Sequence, residues 1–313
     1  MQSKLLYEPT PKKVAQKGDK AAGYVRNYLE EVSNPIPTKI ICEENAVREK
    51  KLEVLLKKFL SLDEYQATMG DIKLGVKNNF SGPCDQIYKV AEEILALFNI
   101  ALNIVPSITD DSAIHIVAIK DNKYIRMHLA ILIPEICKFP YTLYKKLGIR
   151  MISFCYGAYL LQPHFKIMFA KKRFNGLFIV EMDNTPERII KHFHRVLCYY
   201  LVNYKKNFYK EWKALNPPDF KYGETKLKAK GLKNFLDLDC TESAFTDQSE
   251  IFSFLIKDPS AVWMHPDDGI RAKLRKLKEL MEEIDGEGIT FDFWEKLKHV
   301  ETNLFIPLNA FEK

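Results

Sequence analysis

The chain has 313 residues, of which 47% are apolar, 12% aromatic and 28% charged, and its net charge is +6. That length and apolar content suffice for a sizeable core and exclude a wholly disordered chain. No uninterrupted apolar run reaches the ~18 residues of a membrane span; the best candidate, "HLAILIPEICKFPY", holds Pro134, Glu135 and Lys138.

The first twenty residues, "MQSKLLYEPTPKKVAQKGDK", have no apolar stretch after the basic start, so no secretory signal is predicted. A mitochondrial presequence fits the basic character but not Glu8 or the lack of Arg. Residues 20–33 and 43–62 read as helices; in the second, Val47, Leu52, Leu55, Leu56, Phe59 and Leu60 recur at three-to-four spacing. A third helix starts near Ser81 and Pro83 and carries Ile87, Val90, Ala91, Ile94, Leu95 and Phe98. "ALNIVPS" and "AIHIVAIK" then read as strands joined by a polar turn.

"YIRMHLAIL" is ambiguous between helix and strand. "PEICKFPYTLYKKLG" reads as one helix ending at Gly148, and "IRMISFCYGAYL" as a buried strand. "FKIMFAKKRFNGLFIVEMDN" reads as two strands around a turn. Asn184 or Thr185 caps the next helix, "PERIIKHFHRVLCYYL", with Pro186 at its first position. Helices, then strands, then helices give an α+β class. The expected division is a helical extension over 1–125, ending in two short strands, and a second unit over 126–313.

Several stretches occur in an order that resembles the zinc-binding metallopeptidases of the zincin class, in particular the gluzincin, lethal-factor-like type. They are "PYTLYKKLGIRMISFC", "FNGLFIVEMD", the helix at 186–201, "FYKEWKALNPPDFKYG", "TDQSEIFSFLIKDP" and "IRAKLRKLKELMEEI". The Trp-x-x-Leu-Asn-Pro-x-x-Phe-x-Tyr segment is the most specific of them, and the resemblance covers residues 130–285. It implies a zincin-like fold, with 186–201 packed under a sheet that includes 150–156 and 176–182.

The chemistry of that family needs two His at i and i+4 on one helix, a Glu between them as base, and an acidic third ligand downstream. Aligned on this pattern, His194 takes the first ligand position, Arg195 that of the base and Cys198 that of the second His. Thr246 falls on the third ligand and Glu250 on its neighbouring acid. A guanidinium stays protonated and cannot serve as a base, and a hydroxyl is a poor substitute for an anionic ligand. A register beginning at His192 fits worse.

The implied protein is therefore catalytically inactive, a binding or assembly scaffold without a cofactor. In it Arg195 pairs with Glu250, and Tyr222 lines a remnant groove. Its protein partner would dock through the basic region or the helical extension. The first alternative is a zinc peptidase with an atypical site built on His194, Cys198 and an acid from 246–250.

The second alternative rests on charge. Residues 164–233 hold 16 Lys and Arg against 6 Asp and Glu, and residues 234–313 hold 9 against 17. A basic face of this kind suits a nucleic-acid or ribonucleoprotein partner. The six cysteines, Cys42, Cys84, Cys137, Cys155, Cys198 and Cys240, stand far apart with no CxxC, which points to an intracellular, reducing compartment.

Overall fold

The computed structural model describes residues 45–73, 85–104, 114–117, 122–155, 157–160, 176–180, 185–223 and 233–300. In chain order these form α1 (Asn45–Leu60), α2 (Asp63–Lys73), α3 (Asp85–Leu97), β1 (Ala101–Ile104), β2 (Ile114–Val117), α4 (Asn122–Ile136) and α5 (Tyr141–Leu147). Next come β3 (Met151–Cys155), β4 (Gly157–Leu160), β5 (Gly176–Val180), α6 (Pro186–Tyr204) and α7 (Phe208–Lys213). A 3-10 turn at Asp239–Thr241 leads to α8 (Ala244–Lys257), α9 (Ala261–Met264), α10 (Asp268–Ile284) and α11 (Phe291–Val300).

The α+β, zincin-like class expected from the sequence is corrected by this architecture, which is mostly helical. Strand structure among the described residues is limited to segments of four or five residues. β3 lies between β1 and β5 in parallel register, and β2 pairs antiparallel with β4. β1 and β2 therefore do not pair with each other, as a polar turn between them would suggest. The helix expected over 20–33 and the first strand of "FKIMFAKKRFNG" lie outside the described residues.

The stretch that was ambiguous in the sequence is α4, a helix of 15 residues. Ile125, Met127, Leu129, Ala130, Leu132, Ile133 and Ile136 are all buried, as are Arg126, His128 and Glu135. A helix surrounded on every side has no polar face, so its sequence lacks the 3.6-residue alternation that reveals a surface helix. α4 packs against α2, α3 and α6. The stretch expected as one helix over 134–148 is two, because Pro140 favours extended backbone before it and stands as the N-cap of α5 at φ −68°, ψ 147°. α5 ends where expected: Gly148 is left-handed at φ 71°, its N–H donates to Lys145, and Ile149 N–H donates to Tyr144 O.

α6 has Pro186 at its start as expected; of the two cap candidates Thr185 holds the N-cap position, without a side-chain capping bond, and the helix runs three residues beyond 201 to Tyr204. Its buried face, Ile189, Phe193, His194, Leu197, Cys198 and Leu201, meets α8 and α4. α8 starts at Ser243, whose Oγ accepts the Thr246 N–H at 3.0 Å, and α10 starts at Asp267, whose Oδ1 accepts the Ile270 N–H at 2.9 Å. β1 pairs with β3, and α3 packs on α4, so the segment 85–104 is continuous with the core of the later residues.

The end of α10 is tied back to α5. Asp285 is fully buried; its Oδ2 accepts from Thr142 Oγ1 at 2.5 Å and its Oδ1 lies 3.1 Å from Lys146 Nζ. Gly288 makes this approach possible, since a Cβ there would overlap Asp285 Oδ2, Thr142 Oγ1 and Pro140 Cβ. Gly288→Ala is expected to cost about 1–3 kcal/mol by overpacking. Denaturant unfolding checks this, and an unchanged midpoint would show that the turn accommodates a methyl group.

Candidate functional site

The aligned residues occupy the contact between α6 and α8. His194 is 4% exposed and sits among Phe139, Phe193 and Phe252, with ring centroids 5.7–6.4 Å away. Its Nε2 donates to Glu135 Oε1 at 2.7 Å, and Lys138 Nζ lies 2.7 Å from Glu135 Oε2. Burial pushes the Glu135 carboxyl up, but the His194 bond and charge and the Lys138 ammonium outweigh it, so its pKa falls below the ordinary value.

Cys198 shares the buried face one turn on, and burial pushes its thiol far up against a weaker opposing effect of Arg195. A thiol held protonated by burial is not a nucleophile. Arg195 points outward, with its guanidinium 5.1 Å above the Phe245 ring. Glu250 pairs instead with Lys191, at 2.9 Å, which corrects the expected Arg195–Glu250 pair.

Thr246 lies in the first turn of α8, with its Oγ1 2.9 Å from the capping Ser243 Oγ. Among the described residues no group of three His, Cys, Asp or Glu is arranged to hold a metal ion. The donor set also does not fit zinc: the His194 Nε2 is committed to Glu135, and Thr246 is neutral and part of a cap.

A second constellation lies between α8 and α10. Asp247 and Lys273 are both fully buried, with Lys273 Nζ 2.7 Å from Asp247 Oδ2. The same oxygen accepts the Trp212 indole N–H at 2.9 Å and the Tyr222 hydroxyl at 2.7 Å, while Asn216 Nδ2 donates to Tyr222 at 2.8 Å. Lys273 Nζ also donates to the Asn234 carbonyl at 2.7 Å and lies 3.9 Å above the Phe235 ring.

Tyr222 is thus a hydrogen-bonding member of this network, where the sequence suggested a groove-lining residue. Burial raises the pKa of Asp247 against the opposing effects of Lys273, Tyr222 and Trp212; burial likewise lowers that of Lys273 against Asp247. Burial and then the Asp247 charge push the Tyr222 hydroxyl well up. Three donors on one oxygen favour a carboxylate there.

The backbone is shaped to complete this pair. Asn234 is left-handed at φ 70°, which asparagine tolerates, and its carbonyl receives Lys273 while its N–H donates to Asp267 Oδ2 at 3.0 Å. Gly269 leaves room for the Asn234 side chain, which a Cβ would overlap. Asp247 Oδ1 is buried and has no hydrogen-bond partner among the described residues. The segment from Trp212 to Tyr222, read in the sequence as the most specific part of the resemblance, is the loop that wraps this ion pair.

The charge asymmetry is partly internal. Lys191 pairs with Glu250, Lys205 with Glu283 at 2.7 Å, and Lys276 with Glu211 at 2.5 Å, each joining the basic region to the acidic one. Among the described residues no helix is long and apolar enough to cross a membrane. Compared with protein-family models, curated protein sequences and solved structures, the chain matches none.

Proposed function

We propose that this chain is a non-catalytic binding or assembly protein and not a zinc-dependent hydrolase. The observation that supports this most directly is the sealed pair of His194 and Glu135, 2.7 Å apart inside an aromatic shell. Of the residue types the peptidase pattern requires, His194 is the one present at its aligned position, and its Nε2 already serves an internal contact. Arg195 at the position of the base supports the same reading, because a guanidinium stays protonated and accepts no proton. We also place the protein in a reducing, intracellular compartment, on its separated cysteines and on the free thiols of Cys137, Cys198 and Cys240.

Metal analysis of the purified full chain, paired with a peptide-cleavage assay, tests the reading. The expected result is zinc far below one equivalent, no cleavage and a Tm unaffected by chelator. About one zinc per chain, lost in His194→Ala, would overturn it and favour the atypical peptidase.

A further inference from the structure

The junction between α6 and α7 carries an exposed set of aromatic and cationic side chains. Residues 203–213, "NYKKNFYKEWK", hold four lysines against one glutamate. The structure divides them into two groups. Phe208 and Trp212 are buried in the core. Lys205 and Glu211 are neutralised by Glu283 and Lys276.

What remains faces solvent. Tyr204 and Tyr209 are each 55% exposed, although a tyrosine usually buries most of its ring. Lys206, Lys210 and Lys213 are exposed, and among the described residues no carboxylate pairs with them. Lys213 Nζ lies 4.6 Å from the Tyr209 ring centroid.

We propose that this junction is a docking surface for single-stranded nucleic acid, with phosphates meeting Lys206, Lys210 and Lys213 and bases stacking on Tyr204 and Tyr209. The inference rests on the reading of the chain as a binding protein and names a partner class for it. Unpaired lysines beside solvent-facing rings supply the two elements a sequence-tolerant strand site uses: cations along the backbone and flat surfaces for the bases. An acidic protein would need the lysines and leave the rings unexplained. A duplex keeps its base faces stacked inside and offers the rings nothing. A bilayer surface would be expected to engage an apolar helix face with aliphatic side chains, and the exposed residues of 203–213 are Asn203, Tyr204, Lys206, Asn207, Tyr209, Lys210 and Lys213, none of them aliphatic.

Fluorescence anisotropy with a labelled oligothymidylate about 20 nucleotides long tests this on the full chain, across a series of salt concentrations. The wild-type protein should bind, and its log K should fall linearly with log salt. In the variant Lys206→Gln, Lys210→Gln, Lys213→Gln, the magnitude of that slope should drop by about 2, from roughly 0.7 per phosphate contact. Tyr204→Ala and Tyr209→Ala should each weaken binding about tenfold and leave the slope unchanged. All five side chains face solvent, so melting curves of the variants should match the wild type.

No binding at low salt overturns the proposal. So does binding that ignores both tyrosines, which would reveal general polycation behaviour. Binding to phosphatidylserine–phosphatidylcholine vesicles through the same residues, with none to the strand, overturns it in favour of a membrane surface. Stoichiometric zinc with peptide cleavage would instead overturn the binding-protein reading itself, whatever the strand does.

Discussion

Replacing Lys273 by Met should remove about 3–5 kcal/mol of stability, on the order of 10 °C in Tm for a chain of this size. Methionine keeps most of the aliphatic stem and removes the ammonium that lies over Phe235 and Trp212 and pairs with Asp247, so the loss is mainly electrostatic. The variant leaves Asp247 fully buried with Trp212 and Tyr222 as its remaining donors. Without the ammonium, the carboxyl pKa should rise further above its already raised value.

The sign of the pH dependence follows. A carboxyl whose folded pKa is raised contributes stability below its unfolded value near 3.8, and that contribution is lost as pH rises through the folded pKa. The Lys273→Met deficit should therefore shrink on acidification as Asp247 takes a proton. In the double variant Asp247→Leu, Lys273→Met, the second change should cost less than it does alone, because no unpaired charge remains. Trp212 and Tyr222 lose their acceptor in that variant, so recovery is partial. Denaturant melts of the two single variants and the double one measure the coupling; additive losses would mean that the pair is not a unit.

This ion pair was legible in the sequence, though as a broken pattern. α10 buries Ile270, Leu274, Leu277, Met281 and Ile284, and Lys273 stands on that same face. α8 buries Ala244, Ile251, Phe252 and Leu255, and Asp247 stands among them. Opposite charges that each interrupt an apolar stripe mark a candidate buried pair. Thr246, which aligns with a peptidase ligand, is the neighbour of Asp247 and belongs to the cap of α8. The cap at Thr185, the proline after it and the αL glycine at Gly148 were legible because each acts through its own backbone.

Other features depended on distant neighbours. The helical state of α4 followed from burial on all sides, which erases periodicity. Glu135 and His194 are 59 residues apart in the chain, and nothing local to either predicts the partner. The α+β class failed for a related reason: short apolar runs such as "ALNI" and "GLFIV" are compatible with strands, but their weight relative to the helices is set by tertiary packing.

The Glu135 cluster should govern the acid limb of stability, with the sign opposite to that of Asp247. Its folded pKa is depressed below the ordinary 4.5, with His194 and Lys138 outweighing the cost of burial. A carboxyl shifted in this direction contributes stability above its unfolded pKa and loses it as pH falls through the folded value. The wild-type protein should therefore lose stability below about pH 4.5 as the unfolded chain takes up a proton that folded Glu135 resists.

Glu135→Gln keeps the shape but removes the charge that Lys138 and His194 share, and leaves a buried ammonium with a neutral partner. A loss of about 3–5 kcal/mol at neutral pH is expected, as for the removal of one member of a buried ionic cluster. That deficit should narrow toward acid pH, because only the wild type has this carboxylate to protonate. Chemical denaturation of both proteins from neutral to acid pH supplies the comparison. Parallel stability curves would show that the pH dependence arises elsewhere and that the Glu135–His194 contact carries little charge.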